Sequence, residues 1–259
     1  MHDRFADALS GFSEADLEAC SVDRLDQFQS ASTRATMSVR SRIVEDAVAE
    51  AAARGSLQYV IFGVGLDSFG LRRPSCLEHV QVFEVDHADT QSWKTQRLAE
   101  IQCPIPEGLA YVDVDFETER FEDKLISAGL QVDTPTLFSM LGVSQYISNA
   151  ALEDLLKRTA ALVTGRRQFV MNFIPPIETL PQASPDAVRS IATKSAVGGE
   201  PFVSFYTPEQ LLGHLAAAGF SDVEHFGPDK IRHRYFSGRP DGLSTGNVLN
   251  IIKADSGAL

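Results

Sequence analysis

The sequence predicts an α/β fold with a seven-stranded, mostly parallel sheet and helices on both of its faces. Two observations support this prediction. Short apolar runs alternate along the chain with segments whose apolar residues recur at helical spacing, and this alternation is typical of βαβ units. The chain has 259 residues, 44% of them apolar, so it can bury one complete core. We therefore expect a single domain over residues 1–259 with a Rossmann-like arrangement of strands and helices.

Each predicted strand of the first part is an apolar run followed closely by glycine, an acid or proline. These strands cover residues 57–62, 80–85, 109–114, 136–141 and 168–173. The helices predicted around them cover residues 40–54, 89–102, 121–128 and 149–163. In the first of these helices the apolar residues share one face, and Gly55 stands where a helix C-cap is expected.

The two ends of the chain and one internal segment interrupt the alternation. Residues 1–38 are polar with scattered apolar positions, which predicts a helical cap. Residues 175–205 are rich in proline and glycine, and an insertion of this length predicts a lid. A helix at 207–218 and two strands at 223–226 and 247–252 complete the chain. The late strand pair favours a mixed sheet.

Charge and composition exclude several classes of protein. The formal charge of −12 disfavours non-specific binding to nucleic acid, because an acidic chain repels phosphates. No apolar run is long enough for a membrane span, and the first residues lack the apolar core of a signal peptide. The three cysteines form no CxxC pair and the six histidines no metal-binding spacing. We therefore expect a cytoplasmic protein without a metal site, and the sequence leaves self-association open.

A glycine turn and an acid at the next strand end predict a ligand site. Gly63 and Gly65 follow the first strand, where glycine lets the backbone turn tightly and lets a ligand approach. Asp86 ends the second strand 23 residues after Gly63, which suits an acid that binds ribose hydroxyls. Ser68 stands where a dinucleotide-binding motif has its third glycine, which disfavours an NAD or FAD site.

A second acid follows the third strand and extends the predicted site. Asp115 could accept a hydrogen bond from an adenine amino group, and Phe116 could offer its backbone N–H to the ring. Ligands of open α/β sheets bind beyond the carboxyl ends of the strands, so Asp86 and Asp115 should face one crevice. Two acids there suit an adenosine ligand with a positive sulfonium better than a polyphosphate.

Several motifs together carry a resemblance to one family. The runs VIFGVGLDS, VFEVDHADTQSWK, VDVDF and PTLFSMLGVSQYIS occur in this order between about residues 40 and 173. Weaker similarity continues in EPFVSFYTPEQL, AAAGFSDVE and RYFSGRPDGL. With these motifs the chain resembles the leucine carboxyl methyltransferase family, and its bacterial branch in particular, whose members include enzymes of small molecules and secondary metabolism. The resemblance implies S-adenosylmethionine as cofactor and a methyltransferase activity.

The resemblance also implies which residues hold the cofactor. Arg40, in the run VRSR, matches the arginine that pairs with the methionyl carboxylate, and Arg42 is the alternative if the register slips by two. Gly63 and Gly65 match the glycine turn at the methionyl and ribose portion. Asp86 matches the acid that binds the ribose.

At the adenine end and after the fourth strand the resemblance is partial. Asp115 and Phe116 match the adenine contacts. Many relatives have Glu in the pattern EGVxxYL where this chain has Leu141. The contact of that carboxylate would be missing, although the backbone at Leu141 could still reach the cofactor. Because of this departure, we do not infer from the resemblance that the substrate is the carboxyl terminus of a protein.

The acceptor side is less defined by the sequence. Tyr146, Tyr235 and Arg239 are predicted to shape the acceptor pocket, and Arg239 could hold a carboxylate. A carboxylate acceptor needs no general base because it is already ionised at neutral pH, whereas a hydroxyl acceptor could use His87 or His233. We expect O-methylation of a small-molecule carboxylate or hydroxyl. A non-methylating S-adenosylmethionine-binding or regulatory relative is one alternative, and an NAD-dependent oxidoreductase is the other.

Overall fold

The computed structural model describes residues 3, 5, 8–9, 31–116, 118–181 and 184–257. Within these residues, seven strands form one sheet in the order β3-β2-β1-β4-β5-β7-β6. The strands are β1 Gln58–Phe62, β2 Gln81–Asp86, β3 Leu109–Asp113, β4 Thr136–Met140, β5 Arg167–Phe173, β6 Asp222–Phe226 and β7 Asn250–Asp255. The first five are parallel, and β7 runs antiparallel to both β5 and β6. The predicted mixed, mostly parallel sheet is confirmed.

Helices cover both faces of this sheet. They are α1 Ala31–Ala52, α2 Phe69–Arg72, α3 Ala88–Glu100, α4 Phe121–Ser127, α5 Asn149–Leu162, α6 Ser184–Val197, α7 Pro208–Ala217 and α8 Pro228–Phe236. None of the described helices is both long enough and apolar enough to cross a membrane.

Two apolar clusters hold the helices on the sheet. On one face, the Phe62 ring lies 5.9 Å from the Phe138 ring and 5.1 Å from the Phe121 ring of α4. On the other face, α1 packs on the sheet through residues such as Val48, which is fully buried. Burial on both faces explains why the central strands are continuous apolar runs in the sequence.

Three segments differ from the sequence prediction. Helix α1 begins at Ala31 instead of residue 40, so it runs through the predicted end of the cap at residue 38. Most of the predicted cap, residues 10–30, lies outside the described residues. The proposed lid contains a helix, α6, which the prolines and glycines around it had obscured. Helix α8 lies between the two predicted strands at 223–226 and 247–252, where no helix was predicted. Gly227 is its N-cap, Pro228 is its first residue, and Ile231 is buried in the core.

The sheet topology places a crevice at the end of β1. From β1 the chain builds β2 and β3 on one side, and β4 and β5 on the other. The connections that leave β1 and β4 therefore diverge, and such switch points in open α/β sheets form ligand crevices. The glycine turn after β1 lies at this point.

Candidate functional site

A cavity of about 860 Å³ opens beside the glycine turn. Its walls come from α1, the turn after β1, the loop after β4, the end of β5, helix α6 and the segment before β7. The residues that line it include Arg40, Gly63, Gly65, Asp67, Leu141, Gly142, Gln145, Tyr146, Asn172, Val188, Ile191 and Phe202.

The turn requires glycine at two positions for different reasons. Gly63 has φ +65°, and a Cβ there would lie 2.2 Å from Cγ2 of Val143. Gly65 has φ +51°, but a Cβ there would meet nothing within 4 Å. Both backbone conformations are rare for residues with a side chain. The space beside Gly65 is therefore left open, while the space beside Gly63 is filled by the loop after β4.

Asp86 lies at the glycine turn, as the sequence predicted. Its Oδ2 accepts a hydrogen bond from the Gly65 N–H at 2.6 Å, and its Oδ1 accepts one from the His87 N–H at 2.8 Å. Each carboxylate oxygen keeps a further lone pair for another donor. The half-buried carboxylate therefore fixes the turn. Asp86 itself lies beside the cavity and not among the residues that line it.

The second predicted acid lies near the first along the sheet edge but outside the cavity lining. The Val114 N–H donates to the Asp86 carbonyl at 2.8 Å, which holds the end of β3 against the end of β2. The Asp115 carboxylate accepts a hydrogen bond from the Thr118 hydroxyl at 2.8 Å. Phe116 lines a second cavity, of about 530 Å³, against α5. Neither Asp86 nor Asp115 lines either of these two cavities, so the expected single crevice lined by both acids is not seen.

Arg40 carries the cationic side of the cavity. A Cβ at Gly142 would lie 3.0 Å from its Nη1, so the guanidinium packs directly on the loop after β4. Its buried Nε has no hydrogen-bond partner among the described residues. Burial lowers the pKa of Arg40, and nearby Asp67 and Tyr146 partly oppose that shift. A buried N–H donor without a partner destabilises the folded protein, and a bound anion that accepts from Nε would relieve that cost.

The alternative arginine points elsewhere. Arg42 is exposed and pairs with Asp46 at 2.6 Å, one helical turn along α1. Because Arg42 lies outside the cavity lining, the structure favours the register that places Arg40 in the site.

The loop after β4 brings two predicted residues to the cavity. Leu141 lines it directly after β4, and its side chain packs against the core on the α1 face. The Tyr146 ring lies 5.4 Å from the Phe202 ring in an edge-to-face contact. The Ser195 hydroxyl donates to the Tyr146 hydroxyl at 3.2 Å, which ties this loop to α6.

The other two predicted acceptor residues require a correction, because both lie outside the cavity lining. Tyr235, on α8, donates its hydroxyl to Asp46 Oδ2 at 3.1 Å, and burial raises its pKa to about 12. Arg239 is exposed and binds Asp241 through Nε at 3.0 Å and Nη2 at 2.5 Å. The cause is helix α8, which carries this segment toward the outer surface of α1 instead of the rim of the cavity.

Sequence reasoning also missed residues that line or support the site. Asp67, Gln145 and Asn172 all line the cavity, although none was singled out. Asp67 stands inside the glycine motif itself and could have been found there. The other two are amides of ordinary appearance in the sequence, and only the packing of the loop after β4 against β5 brings them to the cavity.

A buried ion pair lies beneath the glycine turn. Glu84 and Lys94 are both fully buried, with Lys94 Nζ 2.7 Å from Glu84 Oε2. Lys94 Nζ also donates to the Asp67 carbonyl at 2.5 Å. Burial raises the pKa of Glu84 to about 7, with Lys94 opposing. Through Lys94, the pair holds α3 against β2 and against the backbone at Asp67, which follows the glycine turn.

The described residues contain no group of three or more His, Cys, Asp or Glu side chains placed to hold a metal ion.

Comparison with known proteins gives consistent matches. The family model described as leucine carboxyl methyltransferase matches residues 1–160. A Bacillus subtilis protein named "Putative S-adenosyl-L-methionine-dependent methyltransferase YktD" is 33% identical over 200 residues, covering 77% of this chain and 66% of that protein. A similarly named Mycolicibacterium smegmatis protein is 31% identical over 142 residues, covering 55% and 46%. The chain thus spans about half to two thirds of the length of these relatives.

Solved structures share the fold. A DUF574 family protein from Streptomyces avermitilis aligns with a TM-score of 0.60 at 18% identity, over 98% of this chain and 96% of that one. Magnesium protoporphyrin IX methyltransferase from Synechocystis, with bound SAH, aligns with a TM-score of 0.54 at 14% identity, over 97% and 92%. At these identities the likeness concerns the fold alone.

Proposed function

Because this chain belongs to the leucine carboxyl methyltransferase family, we propose that it transfers a methyl group from S-adenosylmethionine to an oxygen atom of a small molecule. One observation carries the proposal: Arg40 lines a cavity at the switch point of the sheet, and its buried Nε has no hydrogen-bond partner among the described residues. A methionyl carboxylate would supply the anion that Arg40 lacks, as a charge-assisted pair.

The residues around the glycine turn fit the rest of the cofactor. The open space beside Gly65 admits a ligand close to the backbone. Asp86 is fixed at the same turn and keeps lone pairs for the ribose hydroxyls. We retain Asp115 and the backbone of Phe116 as adenine contacts, supported by their position at the neighbouring strand end. When bound, S-adenosylmethionine supplies a methyl group on a positively charged sulfur, so the protein has mainly to orient the acceptor.

The acceptor would lie against α6. Val188, Ile191 and Phe202 give this wall an apolar character, and Tyr146 adds a hydroxyl. An apolar wall with one polar group suits a small organic molecule. A carboxylate or hydroxyl acceptor, a role in secondary metabolism and a cytoplasmic location are parts of the same proposal, supported by the similarity to the bacterial branch of the family.

Calorimetry and a methyl-transfer screen test the proposal. Titration with S-adenosylmethionine, its demethylated product S-adenosylhomocysteine and NAD should give heat with the first two ligands and none with NAD. A labelled-methyl screen over carboxylic acids, phenols and alcohols should then give a labelled O-methyl product. Absence of binding to both sulfur nucleosides would disprove the proposal.

A second candidate function rests on Leu141. Since a hydrophobic residue stands where many relatives have an acid, the chain could bind the cofactor without methylating an acceptor. Binding of S-adenosylmethionine without turnover across the whole screen would favour this non-methylating function.

A further inference from the structure

Two residues that line the cavity each have a buried side-chain atom with unused hydrogen-bonding capacity. Arg40 Nε is a donor and Gln145 Oε1 an acceptor, and neither has a partner in the described part of the chain. Both side chains lie against Gly142: a Cβ there would be 3.0 Å from Arg40 Nη1, and Gln145 Nε2 donates to the Gly142 carbonyl at 2.9 Å. A cationic donor and a neutral acceptor therefore lie beside the cavity, next to the same glycine.

The position of the Gln145 side chain is fixed. Its Nε2 bond to the Gly142 carbonyl determines which end of the amide is oxygen, because a flipped amide would place two oxygens together. Its own backbone carbonyl accepts hydrogen bonds from the N–H groups of Val203 at 2.8 Å and Ser204 at 3.2 Å. The residue is only 7% exposed. A buried acceptor held in this way destabilises the folded protein unless a ligand or a water molecule donates a hydrogen bond to it.

We propose that Gln145 Oε1 accepts a hydrogen bond from the α-ammonium group of the methionyl moiety while Arg40 holds its α-carboxylate. This inference rests on the proposed function. The two groups are attached to one carbon atom, so their partners must be neighbours, and Gly142 is the residue that both partners contact. Leu141, where many relatives carry an acid, offers no side-chain acceptor, and Gln145 is the nearby residue of the same loop that has one.

Asp67 is the competing partner for the same ammonium group. Its carboxylate lines the cavity and lies close enough to raise the pKa of Arg40 against the effect of burial. One of its oxygens accepts the Phe69 N–H at 2.7 Å, and the carboxylate keeps lone pairs for another donor. Gln145 differs because its buried Oε1 has no partner among the described residues, so a bound ammonium group would relieve a cost that Asp67 does not carry.

The test compares two ligands that differ by one group: S-adenosylhomocysteine and its analogue without the α-amino group. Dissociation constants are measured by calorimetry for the wild type and the Gln145→Leu variant. Gln91→Leu is the matched control, because Gln91 is also a buried amide whose Nε2 donates to a backbone carbonyl and whose Oε1 has no described partner. Gln91 lies outside the cavity lining.

We expect Gln145→Leu to lower the affinity for S-adenosylhomocysteine about tenfold, because a hydrogen bond to a charged group is lost. The affinity for the analogue should stay unchanged, because the analogue lacks that group. Gln91→Leu should leave the ratio of the two affinities at the wild-type value. Two outcomes would overturn the inference. In the first, Gln145→Leu weakens the binding of both ligands equally. In the second, Asp67→Asn abolishes the preference for S-adenosylhomocysteine over the analogue, whereas Gln145→Leu leaves that preference unchanged.

A second variant covers the case in which Gln145→Leu does not fold. Gln145→Met keeps the length of the side chain and removes the acceptor oxygen, so its preference for S-adenosylhomocysteine over the analogue should fall below that of the wild type. A wild-type preference in this variant would overturn the inference. Failure of the wild type to bind either ligand would instead disprove the proposed function, so the two failures are distinguishable.

Discussion

Arg40 shows how a single residue can favour binding at a cost to folding. Its guanidinium is buried on the loop after β4, and its Nε has no partner among the described atoms. The residue therefore opposes folding when no ligand is bound and contributes to affinity when an anion is present. Such conflicts between stability and binding are typical of ligand sites.

Replacing Arg40 should separate these two effects. We expect Arg40→Met to weaken S-adenosylhomocysteine roughly 30-fold or more, because a charge-assisted contact is lost. The unliganded protein should be as stable as the wild type or up to about 1 kcal/mol more stable. Calorimetry and thermal unfolding measure the two quantities. Arg42→Met is the control, since Arg42 is exposed in an ion pair on α1 and should change neither quantity appreciably.

The two glycines of the turn should respond differently to alanine. Gly63→Ala places a Cβ against Val143 and also forces an unfavourable φ, so we expect a loss of about 3 kcal/mol in unfolding free energy. Gly65→Ala meets open space and should lose only about 1 to 2 kcal/mol. Urea unfolding measures both. Adding Val143→Ala should recover part of the loss for Gly63→Ala and none for Gly65→Ala; equal behaviour of the two would contradict this account.

At the scale of elements, strands were easier to predict than helices. The central strands were located within about two residues, because burial on both faces leaves uninterrupted apolar runs that end at glycines or acids. Helix α6 was missed since its apolar residues are few and largely exposed, with Ser184 and Val188 its buried residues. Helix α8 was missed because its polar residues resemble a loop and Ile231 alone is buried.

The same difference explains which of the predicted site residues line the cavity. Arg40, the glycine turn, Leu141 and Tyr146 line it, because the topology brings the strand ends and the helix before β1 together there. Tyr235 and Arg239 lie outside the lining, because the direction of α8 depends on its packing against α1, which a local sequence pattern does not show.

The ion pair between β2 and α3 should make stability depend on pH. The pKa of Glu84 is raised to about 7 in the folded protein, above its ordinary value of 4.5 in the unfolded chain. Between these values the folded state binds more protons, so its stability falls as pH rises and levels off above about 7. Relative to Glu84→Gln, the wild type should lose up to about 3 kcal/mol between roughly pH 4.5 and 7.

Denaturant unfolding of both proteins across this pH range measures the difference. A relative stability that rises with pH would show instead that Lys94 holds Glu84 ionised throughout.

Helix α6 and the loop after β4 should act on the acceptor more than on the cofactor. Tyr146→Phe removes the hydroxyl that Ser195 binds but keeps the ring contact with Phe202. We expect kcat/KM for the acceptor to fall about tenfold, with less than twofold change in affinity for S-adenosylhomocysteine. The Tyr146 hydroxyl could contact the acceptor, or it could only tie the loop to α6 through Ser195, and Ser195→Ala separates these two roles. An equal loss in Ser195→Ala would show that it only tethers α6.

At the scale of the whole molecule, net charge should distinguish the two classes of acceptor. The chain carries a formal charge of −12, so an anionic acceptor approaches against repulsion, and salt screens that repulsion. If the acceptor is a carboxylate, kcat/KM should rise between about 20 and 200 mM NaCl. A neutral hydroxyl acceptor should give a flat profile. Initial rates measure this, and a decrease with salt for a carboxylate would contradict the argument.

The carboxylate of Asp86 has a consequence for selectivity. Two backbone N–H groups, at 2.6 and 2.8 Å, hold it in one rotamer, so its entropy of ordering is already lost on folding. On the proposed function, a ribose hydroxyl meets a pre-organised acceptor. A nucleoside phosphorylated at that hydroxyl would meet a negative charge that cannot rotate away, so the protein discriminates against such analogues through its own backbone.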